Sequence, residues 1–346
     1  MTSPAWKPPE PNFDHLVHMT DARGTFEHAM FGEPRPEHGY CTDDMSRVLV
    51  VTSREPGDTP AVRRLMALSL GFIDEAIDTQ GKCRNRMNRL GEWEDRPALD
   101  DCWGRAIWGL GSAIARSGDG GVRQRAIEIL GRACVQRSAW PRSMAFAALG
   151  AAEVLTCVPA HVGARSLLAA AADTMDGLVA ASNGADWVWP EPRLTYANAA
   201  VPEAMIAAGW MLDRPGLLDR GLALLEWLLD RESLDGHLSV TPAGGAGPTD
   251  GNTRFDQQPI EVAAMADACA RAASVDGAQR WPDGVRSAVG WFMGDNDCGV
   301  VMWDETTHGG FDGLEVGGAN RNQGAESTLA LLSTLQHARR FALVGQ

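Results

Sequence analysis

Positive charge is in short supply in this chain: 31 lysines and arginines face 45 aspartates and glutamates, a net charge of −14 over 346 residues. Binding a phosphate backbone needs a clustered basic surface, and none can be read, so no nucleic-acid partner is expected. The same sign argues against an anionic membrane surface. Nor is there a run of about 18 apolar residues, the length that spans a bilayer. The opening MTSPAWKPPEPNFDHL lacks a cationic segment followed by an apolar stretch, so no secretory signal is read and a cytoplasmic location is expected. The seven cysteines are odd in number and scattered without a C-x-x-C, which fits reduced thiols and speaks against a zinc cluster. H-E-x-x-H is missing, and the EF-hand pattern fails around Asp295, Asn296 and Asp297. The glycine-rich stretch near Gly244 lacks the G-K-[ST] ending of a phosphate loop, and no G-x-S-x-G marks a serine hydrolase. Neither a metal nor a cofactor is expected.

What is present is apolar content of 45%, enough for a sizeable core. Apolar periodicity predicts twelve helices with little strand, near 12–20, 43–53, 60–79, 101–116, 121–134, 141–156, 160–181, 197–213, 215–231, 257–274, 280–293 and 322–340. Long connectors at 21–42, 80–100, 135–140, 182–196, 232–256 and 294–321 alternate with short links such as Ser117–Gly120 and Val158–Pro159. Long connections are uncommon unless they carry function. If antiparallel helices alternate in direction, every long connector lies on one face. The helices that follow these connectors are the more apolar ones, as in SMAFAALGAAEVL and QGAESTLALLSTL. A helix apolar all round is buried all round, so these form an inner ring. The expected fold is therefore all-α, an (α/α)6 toroid of six hairpins. No linker divides the chain, which predicts a single domain over 1–346, with 1–11 a flexible N-terminal arm and 241–253 a flexible loop.

Acid gathers where the inner helices begin: Asp43 and Asp44, Asp100 and Asp101, Glu191, Asp256 and Glu261, and Glu326. Carboxylates cap helix N-termini and complement the dipole, which explains each one singly. Five inner helices presenting acid on one face point further, to a shared pocket. Glycosidic bond chemistry needs such a set, with a neutral carboxylic acid protonating the leaving oxygen and an ionised one activating water or attacking the sugar. Crowding at Asp43–Asp44 would keep one proton on, and residues about 100° apart on a helix predict that only one of the two faces the pocket. Tryptophan is abundant, 12 against 2 tyrosines, and Trp93, Trp103, Trp140, Trp187, Trp189 and Trp303 sit beside polar, loop-like sequence. Each is explained by core packing; as a set they suggest flat platforms for sugar rings. Arg193, Arg254 and Arg321 lie in three long connectors, as neighbours of the carboxylates or as ligands for phosphate or a sugar acid.

The segments HGYCTDDMSR, WGRAIWGLG, WPEPRLTYANA, FDQQPIE and NRNQGAESTLA together resemble a bacterial family found beside, or labelled as, glycosyltransferases. The resemblance spans roughly residues 12–340, and the helical domain of that family looks like the six-hairpin toroid of several glycoside hydrolases. It implies that fold, a carbohydrate substrate and a functional association with glycosyltransferases. No nucleotide-sugar α/β fold can be read, so transferase activity is not carried over. The leading expectation is a glycoside hydrolase or related glycan-processing enzyme, inverting and metal-independent. Its acid and base are drawn from Asp43, Asp44, Glu191, Asp256, Glu261 and Glu326. Candidate sugar contacts are Tyr40, Trp103, Arg105, Trp187, Trp189, Tyr196, Asn198, Gln257, His308, Asn320 and Gln323. Two alternatives stay open: a sugar epimerase or isomerase acting through loop histidines, His237 or His308, and a non-catalytic glycan-binding partner of a transferase. The histidine-rich helix motifs of the N-acylglucosamine 2-epimerase type are not evident.

Overall fold

The computed structural model describes residues 8–57, 59–181, 187–250 and 254–342. Among the described residues twelve α-helices follow one another: α1 (Asp14–His18), α2 (Thr42–Arg54), α3 (Pro60–Ala76), α4 (Asp101–Arg116), α5 (Gly120–Ala133), α6 (Pro141–Cys157), α7 (Val162–Ala181), α8 (Ala200–Met211), α9 (Pro215–Arg231), α10 (Pro259–Ala272), α11 (Arg280–Phe292) and α12 (Ala325–Ala342). The even-numbered helices pack side by side in order, and α12 returns to α2, closing the inner ring. Each of α3, α5, α7, α9 and α11 packs outside its predecessor or successor, and α1 lies against α12. The molecule is an (α/α)6 toroid, as the alternation of connectors predicted. Among the described residues strands occur only as antiparallel pairs of two or three residues within the connectors. Among the described residues there is thus no α/β sheet of the nucleotide-sugar type. The helices of the ring are drawn from Asp14 to Ala342. The arm expected at 1–11 falls mostly outside the described residues.

Composition explains the two layers. Every residue from Cys102 to Ile114 of α4 is buried, and so is every residue from Arg142 to Leu155 of α6. Small residues let these two backbones touch: a Cβ on Gly150 would meet the Ile107 carbonyl oxygen at 2.1 Å, and one on Gly111 would meet the Gly150 carbonyl oxygen at 2.2 Å. The outer helices keep a wet face; in α9 only Leu217, Gly221, Leu224, Leu225 and Leu228 are buried. Starts are set by sequence. Proline opens α3, α6, α9 and α10 as a first-turn residue, where its missing N–H costs nothing. The start expected near 197 moves to Ala200, because Ala197 adopts a left-handed φ of 43°. The first helix shrinks to five residues.

All inner helices begin at the rim that carries the long connectors, the mouth, and end at the opposite rim, the floor. The floor is ionic and closed. Arg54 Nη1 donates to Asp267 Oδ1 at 2.7 Å and to Ser333 Oγ at 2.9 Å, while His337 Nε2 lies 2.5 Å from the same carboxylate. Glu153 accepts from Arg116 Nε at 3.0 Å and from Arg271 Nη2 at 2.7 Å. No helix among the described residues is long and apolar enough to cross a membrane. The seven cysteines are free thiols.

Candidate active site

The mouth is organised by the first turn of α2. Tyr40–Cys41 pairs with Arg86–Met87, and Cys41 then caps α2, its Sγ accepting the Asp44 N–H at 3.4 Å. This fixes where the next two carboxylates point. Asp43 accepts from Arg105 Nη1 and from Asn85 Nδ2, both at 2.9 Å. Burial works to raise its pKa, yet the guanidiniums of Arg105 and Arg47 and these hydrogen bonds hold it below the ordinary carboxylate range. Asp44 goes the other way. It is 1% exposed, and burial, opposed by Arg47 and reinforced by Glu326 and Glu27, pushes it up to about 6. Arg47 binds Asp44 Oδ1 at 2.6 Å with one nitrogen and Glu326 Oε2 at 2.7 Å with the other. Two adjacent carboxyls therefore share one mouth with their pKa values displaced in opposite directions. The expectation that only one of them faces the pocket is corrected: both line it.

The mouth is a cavity of about 250 Å³ whose walls include Asp43, Asp44, Arg47 and Glu326, with Glu27 and His28 on its edge. A second cavity of about 470 Å³ lies beside it, and Asp43 and Asn85 form the boundary between the two. Beneath Arg47 and Arg105 a narrow space of about 40 Å³ runs between Trp108 and Phe146 toward Glu203 and Asp267, room for a water or two. One ligand atom each from Glu27, Cys41 and Asp44 lie within 4.8 Å of one another. Arg86 already pairs with Glu27 and Arg47 with Asp44, so guanidinium groups hold the positions a cation would need to displace.

Of the six predicted acids, Asp43, Asp44 and Glu326 line the mouth and Glu191 lines the second cavity, tied to Arg142 at 2.5 Å. The other two are not brought there. Glu261 is buried and accepts the backbone N–H groups of Ala197 and Asn198, pinning the start of α8; burial, against those hydrogen bonds, raises it to about 7. Asp256 is exposed on the rim beside Gly313 and Glu315 and lines neither cavity. Among the sugar contacts, Arg105 lies in the mouth and Tyr196 in the second cavity, where its hydroxyl donates to Asp101.

The remaining candidates line neither cavity. Trp103 is fully buried in the core. Trp187 and Trp189 pack around Trp227 and Arg231, and both indoles donate to Glu191, Trp187 to its carbonyl at 2.7 Å and Trp189 to its carboxylate at 3.2 Å. They position that acid instead of facing a ligand. Tyr40 is 1% exposed, stacked on Phe26 and donating to Asp21. Asn198 accepts the Thr195 N–H, Gln257 bridges Trp291 and Asp297, and Gln323 accepts from Thr307; all three are buried. His308 stacks on Trp303, and Asn320 sits in the 313–320 hairpin. Arg193 pairs with Asp250 and Arg254 with Asp297, away from the mouth.

The sequence reading passed over Arg47, Asn85, Arg142 and Asp312, and it named Asp101 at a helix start without drawing it into the pool of acid and base. Arg47 carried a signal, since it lies three residues after Asp44, the spacing of a helical ion pair. Asp101 opens α4, where Ser143 Oγ donates to it at 2.8 Å; burial is the largest influence and raises it above its ordinary value. Asp312 accepts from Gly324 N at 2.8 Å and Ser327 Oγ at 2.9 Å. Asn85 and Asp312 come from connectors, where no periodicity announces them.

No family model matches the sequence, and no curated protein matches it. Solved structures do. The chain superposes on a cellobiose 2-epimerase from Spirochaeta thermophila with a TM-score of 0.67, 13% identity, and coverage of 96% of this chain and 94% of that one. A D-mannose isomerase matches with a TM-score of 0.68 at 8% identity, covering 95% of both chains. A GH76 α-mannanase of Bacteroides thetaiotaomicron matches with a TM-score of 0.61 at 11% identity, covering 88% of this chain and 87% of that one. At these identities the likeness concerns the fold, and it is the (α/α)6 toroid.

Proposed function

We propose that the protein is a glycan-processing enzyme that cleaves glycosidic bonds with Asp44 as general acid and Asp43 as the ionised partner. The observation that carries this reading is the first turn of α2, which delivers two carboxyls into one cavity, Asp43 held by Arg105 and Asn85, and Asp44 sharing Arg47 with Glu326. The carbohydrate neighbours in structure support the substrate class. A sugar lying across the boundary at Asp43 would present its glycosidic oxygen to Asp44. The bond from the anomeric carbon to that oxygen breaks as the Asp44 proton moves to the leaving oxygen. Water attacks the anomeric carbon and gives its proton to Asp43, an inverting course. Retention of configuration would instead make Asp43 a nucleophile. Glu326 and Arg47 complete the charge balance around Asp44.

Epimerisation or isomerisation fits the structural neighbours equally well, but His237 and His308 are not placed to perform it at the mouth. His237 sits 3.5 Å from Asp297 and His308 packs on Trp303, neither lining the mouth. One observation keeps the alternative testable: His28 does line the mouth, edge-on to His38 at 4.8 Å. The association with glycosyltransferases rests on the sequence resemblance alone. An oligosaccharide panel followed by NMR in deuterated water separates the chemistries, since cleavage yields new reducing ends whose anomer is read directly, whereas epimerisation by proton exchange places deuterium on carbon. Turnover in which both Asp43→Asn and Asp44→Asn stay fully active would overturn the assignment.

A further inference from the structure

Only four large aromatic side chains among the described residues are strongly exposed: Phe31, Trp140, Tyr196 and Trp210. Two of them, Trp140 at 62% and Tyr196 at 41%, line the same cavity, the 470 Å³ space beside the mouth. Exposed aromatic faces are costly to leave wet, and two around one concavity form a site for a flat, partly apolar ligand. Both are held in place. Trp140 directly precedes α6, and its backbone N–H donates to Ser138 Oγ at 3.0 Å. Tyr196 is fixed at both ends, its hydroxyl donating to Asp101 and its ring lying 5.2 Å from the Arg142 guanidinium. The cavity is also acidic, with Asp43, Asp95, Asp100, Asp101 and Glu191 on its walls and Arg142 as the balancing cation. Such a field repels phosphate and uronate groups and accepts hydroxyl-rich neutral rings, whose O–H groups donate to carboxylates.

We propose that this cavity is a second sugar-binding site, continuous with the mouth across Asp43, in which Trp140 and Tyr196 bind an uncharged ring of an oligosaccharide. The ligand is a neutral glycan of at least two sugars, and the site sets the preferred chain length. The inference rests on the mouth being the reactive centre of the proposed function, but binding tests it independently of turnover.

The experiment is calorimetric titration of the intact protein with cello- and manno-oligosaccharides from disaccharide to pentasaccharide, alongside uronic-acid oligomers of equal length. Affinity for one neutral series should rise about tenfold with the added sugars, the size of one well-formed stacking contact. Trp140→Ala should abolish that gain and Trp140→Phe should restore most of it. Trp210→Ala, on an exposed ring at the end of α8, should leave it intact. The uronic-acid series should bind more weakly than the neutral one. Affinity independent of chain length, a gain that survives Trp140→Ala, preference for the acidic series, or no binding by any neutral oligosaccharide would each overturn the proposal. Length-dependent binding without any turnover would retire the hydrolytic reading and keep this one.

Discussion

The two rims of the ring are built from the same kinds of residue and end in different states. At the floor, Glu153 and Asp267 are nearly as buried as Asp44, but each meets partners of its own: the Arg116 and Arg271 guanidiniums for one, the Arg54 guanidinium and the His337 imidazole for the other. Against the penalty of burial those partners hold Glu153 down to about 2 and Asp267 below its ordinary value. At the mouth the carboxylates outnumber their partners, with Arg47 shared between Asp44 and Glu326. Helix polarity adds to the contrast. Floor arginines such as Arg54, Arg116 and Arg271 lie in last turns, where the dipole favours cations, and mouth acids lie in first turns, where it favours anions. A buried charge therefore marks a site only when its surroundings leave it under-compensated and open to a cavity.

The sharpest way to break this comparison is to neutralise one acid at each rim. Asp44→Asn should reduce turnover by about 10²–10⁴-fold while leaving the unfolding midpoint nearly unchanged, because the amide keeps the shape and loses the transferable proton. Glu153→Gln should do the reverse. Removing one partner of a buried ionic cluster strands Arg271, costing about 3 kcal/mol in denaturant unfolding, with turnover per folded molecule unaltered. If the floor variant lost turnover at full stability, the assignment of roles would be exchanged.

The pH dependences should also separate. Asp44 must be protonated to act, so the rate should fall about tenfold per unit as pH rises beyond about 6, and fall again at low pH where Asp43 takes up a proton. Glu153 has its folded pKa depressed, so its contribution to stability is full above the unfolded value and lost as pH falls toward about 2. Glu203, facing the narrow space above the floor, has its pKa raised to about 8 chiefly by burial, with Asp267 adding repulsion. Stability should then decline as pH rises from its unfolded value to about 8, and Glu203→Gln should flatten that slope in urea titrations across the range. The smallest effect belongs to Arg105→Lys, which keeps the charge beside Asp43 and loses the planar fork. A few-fold loss of rate, with the acidic limb moved to higher pH, is expected from the pH–rate profile.

The fold was legible because its signals are periodic. All twelve helices stand near their predicted positions, since a buried stripe at helical spacing and a proline at the first turn are local facts. Part of the candidate site was legible for a related reason: Asp43, Asp44 and Glu326 lie where a connector meets an inner helix, and Glu191 lies within the connector before α8. Glu261 shares that address yet misses the cavities, because Ala197 turns the chain so that its N–H and that of Asn198 meet Glu261, while Asp256 stays exposed beside Gly313 and Glu315. Tryptophan misled most. Trp103, Trp187 and Trp189 lie in sequence that looks exposed, but the core and the Trp227–Arg231 stack claim them, while Trp140, in the same kind of sequence, remains open. Composition cannot separate these outcomes; which neighbour a ring meets is decided by residues distant in the chain.

The join between α1 and α12 gives the ring a temporal property. His15 Nε2 meets the Gln323 carbonyl oxygen at 2.8 Å, a contact between residues 308 positions apart. The chain through α12 must leave the ribosome before that seam can shut, so five hairpins can assemble in order while the sixth waits for α12. Closing so large a loop is entropically slow, and a nascent chain halted before α12 would expose the apolar flank of α2. The acids of the mouth gain their full enclosure last, when Glu326 arrives opposite Arg47.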